Sequence, residues 1–189
     1  MKTEIKKLFT RLWRLIFQPA SEWERISVEM SETDVARSFV FPLIVVCGLV
    51  MMLGSLFRGE WSEGNFFPSM LTVVVRLLAL LITFFFVSWS VNQLRMRYLH
   101  QDDNLLLSTT LTGFSMSLSF ALALFTALFP ELILFKWILQ FYIVYIVWNG
   151  VRTLMKVEEN KQMTFTFLVS ALLLVVPIIV NFVFDKLVK

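Results

Sequence analysis

The chain has 189 residues, of which 58% are hydrophobic and 16% are charged, and its net charge is +3. Soluble domains hold about 45–50% apolar and about 25% charged residues, so these polar side chains are too few to cover a soluble globule of this length. The single cysteine, Cys47, excludes an intrachain disulfide. The composition therefore indicates one membrane domain.

Residues 1–37 are predicted to form short amphipathic helices on the membrane surface. From Thr3 to Gln18, apolar residues recur at steps of three and four, and cations fill the other side. A basic amphipathic helix suits the headgroup boundary of a bilayer; the alternative is a helix docked on the protein's own cytoplasmic face. The side chains predicted to contact the membrane surface are Lys6, Lys7, Arg11, Trp13 and Arg14.

Five apolar stretches follow, and each is long enough to cross a bilayer, which takes about 20 residues. The predicted spans are residues 38–57, 68–94, 104–129, 131–151 and 163–184, and residues 185–189 form a short tail. The predicted fold class is all-α. It is a polytopic membrane protein in which a bundle of five transmembrane helices, residues 38–184, follows the amphipathic surface helices.

The third span carries a line of small polar residues. Ser108, Thr112, Ser115 and Ser119 are separated by four, three and four positions, so they share one face of a helix. Small residues let neighbouring helices approach closely in lipid. We therefore predict that this face packs against other spans and that the third span is the centre of the bundle.

The distribution of lysine and arginine predicts the orientation. With the N-terminus in the cytoplasm, that side holds twelve of these residues and the opposite side holds four. Cytoplasmic loops carry the excess of positive charge in membrane proteins. The N-terminus is therefore expected in the cytoplasm and the C-terminus outside, with the bacterial cytoplasmic membrane as the expected location.

Arg76 is the one arginine inside a predicted span, and such residues are costly and often functional. It lies two turns inside Pro68, within reach of the outer interface, where Glu131 and Asp185 could pair with it. In the fourth span, Tyr142, Tyr145 and Asn149 share a polar face, and Gln140 lies on a separate one. Arg76, Gln140, Tyr142, Tyr145 and Asn149 together are a candidate intramembrane polar site. Packing against the third span is the alternative interpretation of the fourth span's polar face.

The motifs of enzymes that we tested are not present. Gly113-Phe-Ser115 lacks the second glycine of a rhomboid-like protease, and the only histidine, His100, lies in a predicted loop. The run from His100 to Asp103 contains metal-ligand types but no second cluster accompanies it. No catalytic residue, cofactor, metal or nucleic-acid partner is therefore predicted.

Before the five spans stands Pro19-x-x-x-Trp23-x-x-Ile26, in a segment predicted to be cytoplasmic, and almost no tail follows the spans. This arrangement resembles the Ypt-interacting-protein (Yip) membrane family, including its bacterial branch, over nearly the whole chain. The Asp-Leu-Tyr-Gly-Pro motif of the eukaryotic members is absent, so no role with Rab-type GTPases is predicted. The resemblance implies a non-catalytic membrane protein that acts through partners.

Two functions follow as hypotheses. The first is a non-enzymatic integral membrane protein that organises protein partners or lipids through its cytoplasmic face. The alternative is a small-solute or ion transporter whose cavity is lined by Arg76 and the polar residues of the fourth span. Five spans do not divide into two equal inverted repeats, which disfavours the alternative.

Overall fold

The computed structural model describes residues 2–29, 34–59 and 66–187, and these residues form helices and connections without any strand. Nine α-helices, a π-helical turn at Ala36–Val40 and a 3-10 turn at Pro130–Leu132 are present in these ranges. The α-helices are α1 (Lys2–Phe17), α2 (Pro19–Glu29), α3 (Phe41–Phe57), α4 (Phe66–Tyr98), α5 (Leu105–Ser115), α6 (Ser117–Leu128), α7 (Ile133–Gln140), α8 (Ile143–Leu154) and α9 (Glu159–Leu187).

Four continuous stretches of the described chain are long and apolar enough to cross a membrane, and a fifth is a bent pair of helices. The four are Ala36–Phe57, Phe66–Tyr98, Leu105–Leu128 and Glu159–Lys186. The fifth joins Pro130–Gln140 to Ile143–Leu154 with a bend of 41°. The all-α, multi-pass fold expected from the hydropathy is thereby confirmed.

The third span is continuous, with one turn residue that divides it into α5 and α6. Asn104 caps α5, because its side-chain oxygen accepts a hydrogen bond from the backbone N–H of Leu107 at 2.9 Å. The helix is interrupted at Met116, whose N–H bonds to the Thr112 carbonyl at 2.9 Å, and α6 then continues to Leu128. Of the four residues predicted to share a packing face, Ser108, Thr112 and Ser115 are fully buried, and Ser119 is partly exposed.

The helices α1 and α2 form a helical hairpin, which we call the N-terminal hairpin. Pro19 begins α2, and α1 ends just before it because a proline ring disfavours helical geometry in the residue that precedes it. The hairpin is packed on the bundle, α1 against α6 and α2 against α8. Its leucines Leu8, Leu12 and Leu15 are buried.

Gly150 in α8 allows a close approach between the N-terminal hairpin and the bundle. A Cβ at this position would lie 2.6 Å from Leu111 Cδ1 and 2.7 Å from Trp23 Cζ2. Both distances are shorter than carbon atoms tolerate, so only glycine leaves room for the indole of Trp23 between α5 and α8.

Candidate functional site

Trp23 attaches α2 to the bundle. Its indole is completely buried, and Nε1 donates a hydrogen bond to the carbonyl oxygen of Ile146 at 3.0 Å. Its ring meets that of Phe114 edge to face, with centroids 6.0 Å apart. Ile26, one turn further along α2, is also buried. Two residues of the Pro-Trp-Ile pattern therefore hold the N-terminal hairpin in place.

Salt bridges hold the two helices of the hairpin together. Glu22 is buried, with an exposed fraction of 3%, and its carboxylate lies 3.2 Å from Arg11 Nε and 3.9 Å from Arg14 Nη1. Arg11 also bonds to Glu29, which Arg25 approaches at 3.1 Å. A buried carboxylate is tolerated only with such partners.

The pKa of Glu29 reflects two opposing effects. Burial of its carboxyl raises the pKa, but hydrogen bonds and positive charge from Arg11 and Arg25 outweigh burial and lower the pKa below its usual range. The carboxylate is thus ionised in the hairpin at neutral pH.

The residues predicted to contact the membrane surface are divided between two faces of α1. Arg11 is turned towards α2 by its ion pairs, and Arg14 is half-exposed. Lys6 and Lys7 are exposed, and Trp13 has an exposed fraction of 64%. The two alternatives for α1 therefore apply to different sides of it, since one side docks on the protein and the other is open.

The open side of α1 is apolar. Ile5, Phe9, Trp13 and Phe17 recur at steps of four residues, and each is at least 40% exposed. The rings of Trp13 and Phe17 lie 4.0 Å apart between centroids. We call these four residues the exposed stripe. An apolar row of this kind on a membrane protein matches a lipid environment.

An apolar groove runs beside the exposed stripe, between α1 and α6. Its volume is about 810 Å³. Its walls are Phe9, Leu12, Trp13, Ile16 and Phe17 from α1, Leu118, Ala121, Leu122 and Phe125 from α6, and Leu139 and Tyr142. The hydroxyl of Tyr142 donates a hydrogen bond to the Ile16 carbonyl at 2.9 Å and so connects the C-terminal end of α1 to the fourth span.

The five residues of the candidate intramembrane polar site are not gathered at one cavity. Arg76 Nη1 donates to Asn181 Oδ1 at 2.8 Å, and Nη2 lies 3.5 Å from Asp185 Oδ1. The pairing with Asp185 agrees with the level expected from the sequence. The groove that Arg76 lines has no wall from Gln140 or from Tyr142.

The polar residues of the fourth span bond away from the third. The rings of Tyr142 and Tyr145 are in tilted contact with centroids 5.4 Å apart, and Asn149 Nδ2 donates to the Tyr145 carbonyl at 2.7 Å. The buried hydroxyls of Thr112 and Ser115 have no hydrogen-bond partner in the described part of the chain. Thr112 and Ser115 thus pack against their neighbours without a hydrogen bond to the fourth span, whereas Ser108 Oγ donates to Asn92 Oδ1 of the second span at 3.4 Å.

A polar cluster between α4 and α5 was missed by the sequence reasoning. Asn92 Nδ2 donates to Asp103 Oδ1 at 2.8 Å, and its Oδ1 accepts from the Asn104 N–H at 3.3 Å. Arg95, with an exposed fraction of 3%, donates to the carbonyls of Asp102 and of Asn104. The signal available in the sequence was Asn92, a polar residue in the second span close to the charged loop that follows this span. The cluster fixes the connection between the second and third spans.

Comparison with protein-family models matches residues 13–180 to the Yip1 domain. The match begins in α1 and ends in α9, so it includes the anchoring residues of the N-terminal hairpin. Comparison with curated proteins gives no match, and comparison with solved structures gives none either.

Proposed function

The chain belongs to the Yip1-domain family of membrane proteins, and from this premise we propose that it organises lipids through its N-terminal hairpin without catalysing a reaction. The family is non-enzymatic. The observation that carries the proposal is the exposed stripe on a helix that is fixed to the bundle. A fixed helix holds its apolar side chains at one depth relative to the spans.

The depth of α1 supports contact with lipid. Tyr142, which bonds to the last turn of α1, lies midway along the fourth span, Pro130–Leu154. The groove beside α1 is built on the second half of the third span. Trp13 and Phe17 are therefore proposed to lie at the depth of the acyl chains.

The charges near α1 support the same assignment. Lys6, Lys7 and Arg14 are exposed or half-exposed near the stripe. Each cation close to an anionic leaflet adds about 1 kcal/mol of attraction. The excess of positive charge on the same side favours a cytoplasmic N-terminus, and a bacterial cytoplasmic membrane is the proposed location.

The transporter alternative receives less support. A solute pathway would bring Arg76 and the polar side chains of the fourth span to one cavity, whereas Tyr142 bonds to α1 and Asn149 bonds within its own helix. Transport would appear as solute flux into proteoliposomes that is lost in Arg76→Ala.

The test measures the depth of the stripe in the full-length protein. Cys47→Ala removes the native cysteine. A single cysteine for labelling is then introduced in place of Trp13 or, as the control, in place of Val28, which is 81% exposed on α2. A polarity-sensitive fluorophore at each site is read in nanodiscs that contain spin-labelled lipid. Acyl-chain quenchers should quench at position 13 and leave position 28 bright.

Quenching of the two fluorophores by iodide in water tests the opposite outcome. If iodide quenches position 13 as strongly as position 28, the stripe faces water or a protein partner at the cytoplasmic face, and the lipid assignment is wrong. Lys6→Glu combined with Lys7→Glu should reduce the preference of the label for anionic over zwitterionic nanodiscs.

A further inference from the structure

On the other side of α6 from the N-terminal hairpin lies a second groove, of about 460 Å³, between α3, α4, α6 and α7. Three cations line it: Arg58, which follows α3, Arg76 of α4 and Lys136 of α7. We call it the cationic groove. Pro68, near the start of α4, and Pro130, at the start of the fourth span, also line the groove. The groove therefore lies near the ends of these helices.

Within the described ranges, two cations of the cationic groove, Arg76 and Lys136, have one carboxylate partner between them. Arg76 pairs with Asp185 at 3.5 Å, and Arg58 Nη1 donates to the Ala127 carbonyl at 2.9 Å. Lys136 makes neither an ion pair nor a hydrogen bond with any described residue. Arg76 and Lys136 line the same groove. Like charges beside lipid repel strongly unless an anion lies between them.

Three hydroxyl groups that line the groove already donate hydrogen bonds within their own helices, so the cations are the proposed binding groups. Ser55, Thr72 and Thr126 donate their hydroxyl protons to carbonyls of their own helices, at 2.8–2.9 Å. These hydroxyls are therefore not available as donors. The ammonium of Lys136 and the guanidinium of Arg76 are charged donors, and such groups favour phosphate oxygens.

We propose that the cationic groove binds a phosphate-class anion, either the headgroup of an anionic phospholipid or free phosphate. The groove lies at the level of the helix ends, where headgroup phosphates are found. Met51, Val73 and Ile133 give it an apolar wall as well. An anionic lipid would place its phosphate between Lys136 and Arg76 and an acyl chain along that wall.

The experiment uses the purified full chain in a neutral detergent. Three probes are titrated: phosphatidylglycerol, phosphatidylcholine as the zwitterionic comparison, and inorganic phosphate against chloride at equal ionic strength. Phosphatidylglycerol is expected to bind more tightly than phosphatidylcholine. If phosphatidylglycerol binds and inorganic phosphate does not, the ligand is the lipid. If inorganic phosphate binds equally well, the ligand is the free anion.

Matched variants separate the site from general charge. Lys136→Met and Arg76→Gln should each weaken binding about tenfold or more, since each removes a charged hydrogen bond to the anion. Lys136→Arg should keep the affinity, and Asp185→Asn should increase it, because a competing carboxylate is removed. Arg152→Gln, an exposed cation outside the groove, is the control.

The gain in Asp185→Asn is informative because a merely structural role for the ion pair predicts no tighter binding. The proposal is overturned if no probe binds, if Lys136→Met binds like the wild type, or if Arg152→Gln loses as much affinity as Lys136→Met does.

Discussion

Trp23 Nε1 lies 3.0 Å from the carbonyl oxygen of Ile146 and donates a hydrogen bond to it, although 123 positions separate the two residues in the chain. The bond joins the N-terminal hairpin to the fourth span inside a packed core. Trp23 is also the tryptophan of the Pro-Trp-Ile pattern, which supports the resemblance to the Yip family, and it is the residue that fixes the hairpin.

Replacement of Trp23 by phenylalanine is expected to destabilise the protein. The variant loses the indole N–H and leaves a gap beside Gly150, at a cost of about 1–3 kcal/mol. Trp89→Phe is the matched control, because Trp89 is 55% exposed on α4. Unfolding in mixed detergent micelles measures both. Equal destabilisation by the two variants would contradict the anchoring role.

Acid should release a stabilising contact within the hairpin. Because Arg11 and Arg25 hold the pKa of Glu29 below its ordinary value, ionised Glu29 stabilises the fold at every pH above that ordinary value. This contribution is lost as pH falls through the lower folded pKa. Glu29→Gln should therefore be less stable than wild type at neutral pH, with the difference shrinking as the solution becomes acidic.

The control for the acid experiment is Glu24→Gln, since Glu24 is exposed on the same helix and has no ion pair within the described residues. Unfolding is followed from neutral pH downwards for all three proteins. A constant difference between wild type and Glu29→Gln across the series would count against the ion pairs.

Much of the fold could be predicted because hydrocarbon imposes few choices. Apolar length alone gave the spans, including the bent one that starts at Pro130. The interruption at Met116 could not be predicted, because no proline or glycine stands there and tertiary packing decides it. The docking of α1 was undetermined for a related reason: Leu12 and Trp13 are adjacent apolar residues, yet one is buried and the other exposed.

The candidate site was less predictable than the fold. Hydropathy places Arg95 at a membrane boundary, but its burial depends on the path of a loop whose carbonyls it binds. Charge counting likewise could not tell that Arg11 is occupied by carboxylates of α2. Such partners lie on other elements, and periodicity within one helix carries no information about them.

Asn92 is expected to order the connection between the second and third spans. Asn92→Leu keeps the size of the side chain and removes the bonds to Asp103 and to the Asn104 N–H, so two polar groups lose their partners. Amide exchange over residues 99–108 should become at least about tenfold faster, as a loss near 1.4 kcal/mol implies. Gln93→Leu, half-exposed on the same helix, should leave exchange unchanged. Equal protection in both variants would remove Asn92 from this role.

The hydroxyl of Tyr142 is expected to hold the last turn of α1 against the fourth span. Tyr142→Phe removes the 2.9 Å bond to the Ile16 carbonyl and keeps the ring, and a bond of this kind contributes about 0.5–1.5 kcal/mol. The variant should expose the amides of residues 14–17 to faster exchange and shift a fluorophore at position 13 towards water. Tyr145→Phe is a close control, because the Tyr145 hydroxyl has no hydrogen bond to a described residue. If both variants behave alike, the contact between the two rings holds α1, and the hydroxyl does not.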